Sequence, residues 1–193
     1  MLSEQIEVTL QVVEILEELG VPYAIGGSFA SAVHGVMRAT MDADLVADLH
    51  LEHAEPLVEA LGEAFYADLE TIRQAIRRHS SFNLIHFETM FKVDVFVAKP
   101  RAFDRAQLAR RERQLLSERP ERRAYVASAE DIVLSKLEWY RMSDEISDRQ
   151  WRDVLGVLKV QVGRLDLDYL RRMAQELGIA ELLRRALDEA GVN

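Results

Sequence analysis

The spacing of apolar residues changes once along this chain, at Ser128, and that change limits its fold more than any other feature. Before Ser128, helical spacing takes turns with strand-like runs; after it, every apolar pattern is helical. Ile6, Leu10, Val13 and Leu16 mark a helix over Ser3 to Leu19, stopped at Gly20. Tyr23-Ala24-Ile25 reads as a strand running into Gly26-Gly27-Ser28, and Phe29 to Val36 as a short helix. Asp42 to Leu49 is a predicted strand, Glu52 to Phe65 a helix with Pro56 in its first turn, and Leu69 to Arg78 another helix. Phe82 to Phe87 and Phe91 to Ala98 are apolar runs joined by Glu88-Thr89-Met90, a hairpin-length loop. Ala102 to Arg110 is a predicted helix and Arg123 to Val126 a short strand. Four helices follow, one starting at Ser128 and carrying Ile132, Leu134, Leu137 and Tyr140, then Asp148 to Val162, Asp166 to Leu177 and Ala180 to Ala190; Ser128 caps the first, with Asp131 at its third position. The expected layout is an α/β part, residues 1–127, followed by a helical part, residues 128–193.

Composition narrows the function classes. With 193 residues and 49% of them hydrophobic, the chain can bury a sizeable core. It has no cysteine, which excludes disulfides, thiol catalysis and zinc–thiolate sites. No apolar run reaches the ~18 residues of a membrane helix, and no basic-then-apolar leader opens the sequence, so a cytoplasmic protein without membrane contact is expected. The net charge of −9 gives no bulk attraction to nucleic acid. Residues 101–123 depart from this, with eight arginines against four acids. That segment reads either as a face pairing with acids of the helical part or as a path for a polynucleotide such as tRNA.

The chemistry-bearing pattern is Gly26-Gly27-Ser28, thirteen residues, then Asp42-Ala43-Asp44, with Asp94 further on. A Gly-Gly pair between strand and helix lets the backbone turn sharply and approach a ligand. Its amides, the following helix and the Ser28 hydroxyl are suited to an anion such as a phosphate. Asp42 and Asp44 lie two apart on a strand, so both project from one face. Adjacent carboxylates repel unless a cation lies between them, and Mg²⁺ prefers oxygen ligands. Asp94 alternates with Val93, Val95 and Val97, so it leaves the core side of its strand. An antiparallel neighbour is expected to place it beside Asp42 and Asp44. Three carboxylates around two metals suit in-line phosphoryl or nucleotidyl displacement.

These residues, in this order, resemble the active-site signature of the DNA polymerase β-type nucleotidyltransferase superfamily. Within it the sequence is most similar to the AbiEii-like toxin nucleotidyltransferases and related small bacterial proteins. Arg38-Ala39-Thr40 ahead of the aspartate pair, His34-Gly35, and Glu130-Asp131, Lys136-Leu137 and Arg152-Asp153 extend the resemblance, which covers roughly residues 20–160. It implies an α/β (α+β) fold: a mixed sheet flanked by helices, followed by a C-terminal helical bundle that closes the nucleotide cleft. It implies transfer of a nucleoside monophosphate from a nucleoside triphosphate to an acceptor hydroxyl, with release of pyrophosphate. Two Mg²⁺ ions, replaceable by Mn²⁺, are implied on Asp42, Asp44 and Asp94, with Asp94 also helping to deprotonate the acceptor. Gly26, Gly27, Ser28, Arg38 and Lys136 are implied to bind the nucleotide, and Asp153 to orient it or assist catalysis. The acceptor is left open among tRNA, a protein and a small molecule, as is a cognate toxin or antitoxin partner.

Each residue also has a plainer reading. Asp42 and Asp44 read as solvated strand-edge acids, and Asp48, four residues on, as a decoy. Lys136 reads as a partner of Glu130 or Glu138, and Asp153 as a partner of Arg149. Trp139 and Trp151 read as core residues, and His34 as a packing or capping histidine. For the whole chain the alternative is an inactive nucleotide-binding or protein-interaction module with the same fold.

Overall fold

The structure is a computed structural model and describes residues 2–34, 42–118 and 120–192. Arg38, with Gly35, Ala39 and Thr40 of the same motif, lies outside the described residues. The chain forms two compact units. One holds the described residues of Met1–Gly26 and Ala39–Val126; the other holds those of Gly27–Arg38 and Ala127–Asn193.

The first unit is built on one mixed sheet. Among the described residues its strands are β1 (Tyr23–Ile25), β2 (Asp42–Ala47), β3 (Phe65–Tyr66), β4 (Ser81–His86), β5 (Lys92–Val97), β6 (Glu112–Glu118) and β7 (Glu121–Val126). They lie in the order β3-β4-β5-β2-β1-β7-β6. The β2–β5 and β1–β7 pairs are parallel and the others antiparallel. The neighbour that carries Asp94 is therefore parallel to β2, not antiparallel as the sequence suggested. The β4–β5 hairpin reverses the chain once more than a direct β2–β5 connection would, so β5 returns in the direction of β2.

Alternation along β2 and β5 fixes which way each side chain faces. Ala43, Leu45, Ala47, Val93, Val95 and Val97 are buried, while Asp42, Asp44, Lys92 and Asp94 are partly exposed. A period-2 pattern of this kind sets register, because a one-residue slip would turn every valine out and every aspartate in. Helix α1 (Leu2–Glu18) packs on α3 (Ala54–Leu61), β2 and β7, burying Val8, Val12, Val13 and Leu16. Helix α4 (Leu69–Arg78) covers β4 and α5 (Ala102–Arg110) touches β1. Each large apolar side chain removed from water here contributes ~1.5–3 kcal/mol.

The helix expected over Glu52 to Phe65 is shorter. It ends at Leu61 because Gly62 takes φ 55°, ψ −143°, a conformation closed to most residues, and Phe65 then pairs with His86 in the sheet. Strand β6 was not legible in the sequence at all; it pairs with β7 along the Arg-rich segment. Arg122 binds Glu7 and Glu14 of α1, and the Arg111 guanidinium lies 4.5 Å from the centroid of the Tyr125 ring. These arginines thus find partners within their own unit.

The second unit gathers α2 (Gly27–Val33), α6 (Ala129–Met142), α7 (Asp148–Val160), α8 (Leu167–Glu176) and α9 (Ala180–Ala190). Ser128 caps α6: its Oγ accepts the Asp131 N–H at 3.2 Å and donates to Asp131 Oδ2 at 2.7 Å. Tyr169 of α8 donates its hydroxyl to the other oxygen of Asp131 at 2.6 Å. Two helix starts are thereby tied by one buried carboxylate. Ile132, Leu134, Leu137 and Tyr140 fill the core as their spacing predicted. Trp139 does not; it is 46% exposed, and its side chain leaves the buried stripe of α6.

Candidate active site

The sheet register assembles the aspartates. In the parallel β2–β5 pair, Asp44 stands opposite Asp94 and Asp42 opposite Lys92. Paired residues on neighbouring strands project to the same side, and their backbones lie ~4.8 Å apart. Asp42, Asp44 and Asp94 therefore share one face of the sheet, away from the layer that buries Leu45 and Val95. Asn83 of β4 stands opposite Asp94 on its other side and extends the same polar face. Asp48 lies past the end of β2, with its carboxylate 3.6 Å from His50 Nε2.

Lys92 was missed by the sequence reasoning. Its ammonium lies 2.7 Å from Asp94 Oδ2. The hydrogen bond to Asp94 holds the lysine above its ordinary pKa, against the pull of burial, and the charges of Asp94, Asp42 and Asp44 add to the effect. The cation is thus under the field of all three carboxylates. The signal in the sequence was its spacing, two residues before Asp94 on an alternating strand, which obliges both to share a face.

The donor set suits a hard divalent ion in kind, being three carboxylates on one surface beside a cation that already partly neutralises them. Among the described residues, no three His, Asp or Glu side chains form a ready-made metal cage.

The glycine turn is tied to the same strand. Gly26 donates its N–H to the Asp44 carbonyl at 2.8 Å, so that amide is already committed. Gly27 takes φ 57°, and this is the position of the pair that needs a glycine. A Cβ on residue 26 would meet the Asp44 carbonyl at an ordinary 3.8 Å. Ser28 follows in the first turn of α2, where Ser31 Oγ donates to the Gly27 carbonyl at 2.9 Å.

In the helical unit, Lys136 and Asp153 come together. The lysine Nζ lies 2.9 Å from Asp153 Oδ2 and 3.2 Å from Gln150 Oε1, and both charged side chains are buried. Neither plain pairing suggested by the sequence accounts for this contact. Glu130 instead accepts the Asp166 N–H at 2.8 Å. An ammonium has three N–H donors, and these two partners engage two of them. His34 is buried, with Nε2 2.9 Å from the Ala127 carbonyl, as a packing residue would be.

The fold is that of nucleotidyltransferases. The solution structure of the antibiotic-resistance factor ANT(2″)-Ia aligns over 96% of this chain and 98% of its own, with a TM-score of 0.59 and 15% identity. The same factor in complex with adenylyl-2″-tobramycin aligns over 90% and 98%, with a TM-score of 0.58 and 16% identity. An antigenic nucleotidyltransferase-like protein from Paracoccidioides brasiliensis covers 97% of this chain and 92% of its own, with a TM-score of 0.56 and 17% identity. No protein-family model and no curated protein sequence matches the chain. At such identities the likeness is one of architecture, a mixed sheet flanked by helices with further helices after it. Among the described residues, no helix is long and apolar enough to cross a membrane.

Proposed function

We propose that this chain is a nucleotidyltransferase that moves a nucleoside monophosphate from a nucleoside triphosphate to an acceptor hydroxyl. The observation that supports it most is the register that sets Asp44 against Asp94, with Asp42 on the same face. The acceptor oxygen forms a bond to the α-phosphorus, the bond to the bridging oxygen breaks, and pyrophosphate leaves with that electron pair. Asp42, Asp44 and Asp94 would hold two Mg²⁺ ions, with Mn²⁺ as a substitute. Bound there, the ions would neutralise charge that develops on the phosphate oxygens. Asp94 also accepts the proton of the acceptor hydroxyl. Gly26 fixes the turn to β2, while Gly27 and Ser28 contact the triphosphate. Lys136 meets a phosphate with Asp153 orienting its ammonium. Arg38 keeps the nucleotide-binding role that the resemblance implies.

For the acceptor, a polyhydroxylated small molecule comes first, by analogy with the adenylylated tobramycin bound to ANT(2″)-Ia. A tRNA and a protein are the other classes. The test incubates each α-labelled triphosphate with Mg²⁺ and members of all three classes, using wild type and an Asp42→Ala, Asp44→Ala double variant. Transfer by wild type that the variant lacks supports the reading. Failure of transfer across the whole panel contradicts it.

A second reading draws on Lys92 being seated on Asp94. It is a nucleotide-binding or interaction module without turnover. Calorimetry that finds tight triphosphate binding, with no pyrophosphate released, selects it. Membership of a toxin–antitoxin pair is compatible with either reading, and co-purification of a partner from the native host tests it.

A further inference from the structure

Lys92 occupies a position that the proposed chemistry does not use. It stands two residues before Asp94 on β5 and opposite Asp42 on β2, so it belongs to the aspartate face by register. Its Nζ is 2.7 Å from Asp94 Oδ2, and its side chain is 38% exposed while that of Asp94 is 15% exposed. Three carboxylates on adjacent strands repel one another, and a cation among them relieves that repulsion. A lysine does so with one charge on a flexible stem, which can swing away without moving the strand. An arginine at this position would clasp the carboxylate through two parallel hydrogen bonds and be harder to displace.

We propose that Lys92 is a resident counter-ion of the aspartate face, and that a divalent cation binds by displacing its ammonium from Asp94. The inference rests on the nucleotidyltransferase reading, because it takes Asp42, Asp44 and Asp94 as the metal ligands. Lys92 then acts as a positioning residue. It holds the carboxylates together before the ion arrives and yields Asp94 to it. The exchange replaces one positive charge at Asp94 by two. The metal-binding step is thereby coupled to release of an amine into solvent.

Two measurements test this on the whole chain. In the first, wild-type protein is treated briefly with an amine-acylating reagent with and without Mg²⁺, and labelling is read peptide by peptide. The chain has four lysines, Lys92, Lys99, Lys136 and Lys159, so each is resolved, and Lys99 and Lys159 serve as exposed controls. Labelling of Lys92 is expected to rise with Mg²⁺ while the controls stay level. In the second, affinity for Mn²⁺ alone is measured for wild type, Lys92→Met and Lys92→Arg. Lys92→Met is expected to bind ~3- to 10-fold more tightly, and Lys92→Arg more weakly than wild type. A simple loss of positive field would leave Arg equal to Lys.

If Mn²⁺ binds through the aspartates, but Lys92 labelling is flat and the three affinities agree, the displacement is overturned and the nucleotidyltransferase reading stands. If Mn²⁺ does not bind, or binds equally after Asp42→Ala plus Asp44→Ala, both fall together.

Discussion

Asp44 and Asp94 stand in register across one strand pair, and that pairing carries the proposed chemistry. Replacing Asp94 by Asn keeps the shape and removes a charge. The expected outcome is a fall in transfer rate of roughly 100-fold or more, because electrostatic stabilisation of the reacting phosphate is lost. Because the change also weakens the ion pair with Lys92, metal-free stability should fall by no more than about 1 kcal/mol, which thermal unfolding in chelator would show. Lys136 and Asp153 make the opposite case. Both are buried, so Lys136→Met takes the ammonium from a buried ion pair and should cost about 3–5 kcal/mol in urea unfolding. Adding Asp153→Leu should recover most of that loss, whereas nucleotide binding should stay impaired in the double variant. The aspartates were legible in the sequence because strand alternation fixes their face. The lysine–aspartate pair was not, because its partners come from two helices whose packing no local pattern records.

At the scale of elements, the legible parts were those with a strong internal period or an explicit cap. Strands β2 and β5 alternate cleanly, and the Ser128 start of α6 follows its capping pattern. Ser128→Ala should therefore destabilise the protein by about 1 kcal/mol, read as a shift in the urea midpoint. Strand β6 escaped notice because its sequence, ERQLLSE, is charged, lies mostly exposed and has no clean alternation. Pairing with β7 and the stacking of Arg111 on Tyr125 hold it in place, and both are tertiary effects. The end of α3 is hidden for a different reason. The helical pattern of the sequence runs on through Gly62, although the backbone conformation of that glycine is what stops the helix. A Cβ at Gly62 would meet nothing within 4 Å, so Gly62→Ala should lose only the backbone term, about 1–3 kcal/mol. A larger loss would mean that the site is sterically crowded as well.

For the whole molecule, the structure divides into a sheet-based unit and a helical one. The helical unit also takes in α2, which the sequence placed with the first part, because α2 packs on α6 and α7. Local periodicity identified α2 as a helix and could not say which neighbours would bury it. Function at this scale depends on whether the aspartate face receives divalent ions together with a triphosphate. A ligand that binds only the folded chain raises its Tm by mass action. Wild type should therefore show a Mn²⁺-dependent rise that Asp42→Asn plus Asp44→Asn lacks. The most direct measurement is a crystal structure grown with Mn²⁺ and a non-hydrolysable nucleoside triphosphate, with the metals located by anomalous scattering. The account requires metal peaks bridging the phosphates to the carboxylates of Asp42, Asp44 and Asp94. Metal and triphosphate bound elsewhere, with Lys92 still seated on Asp94, would contradict it.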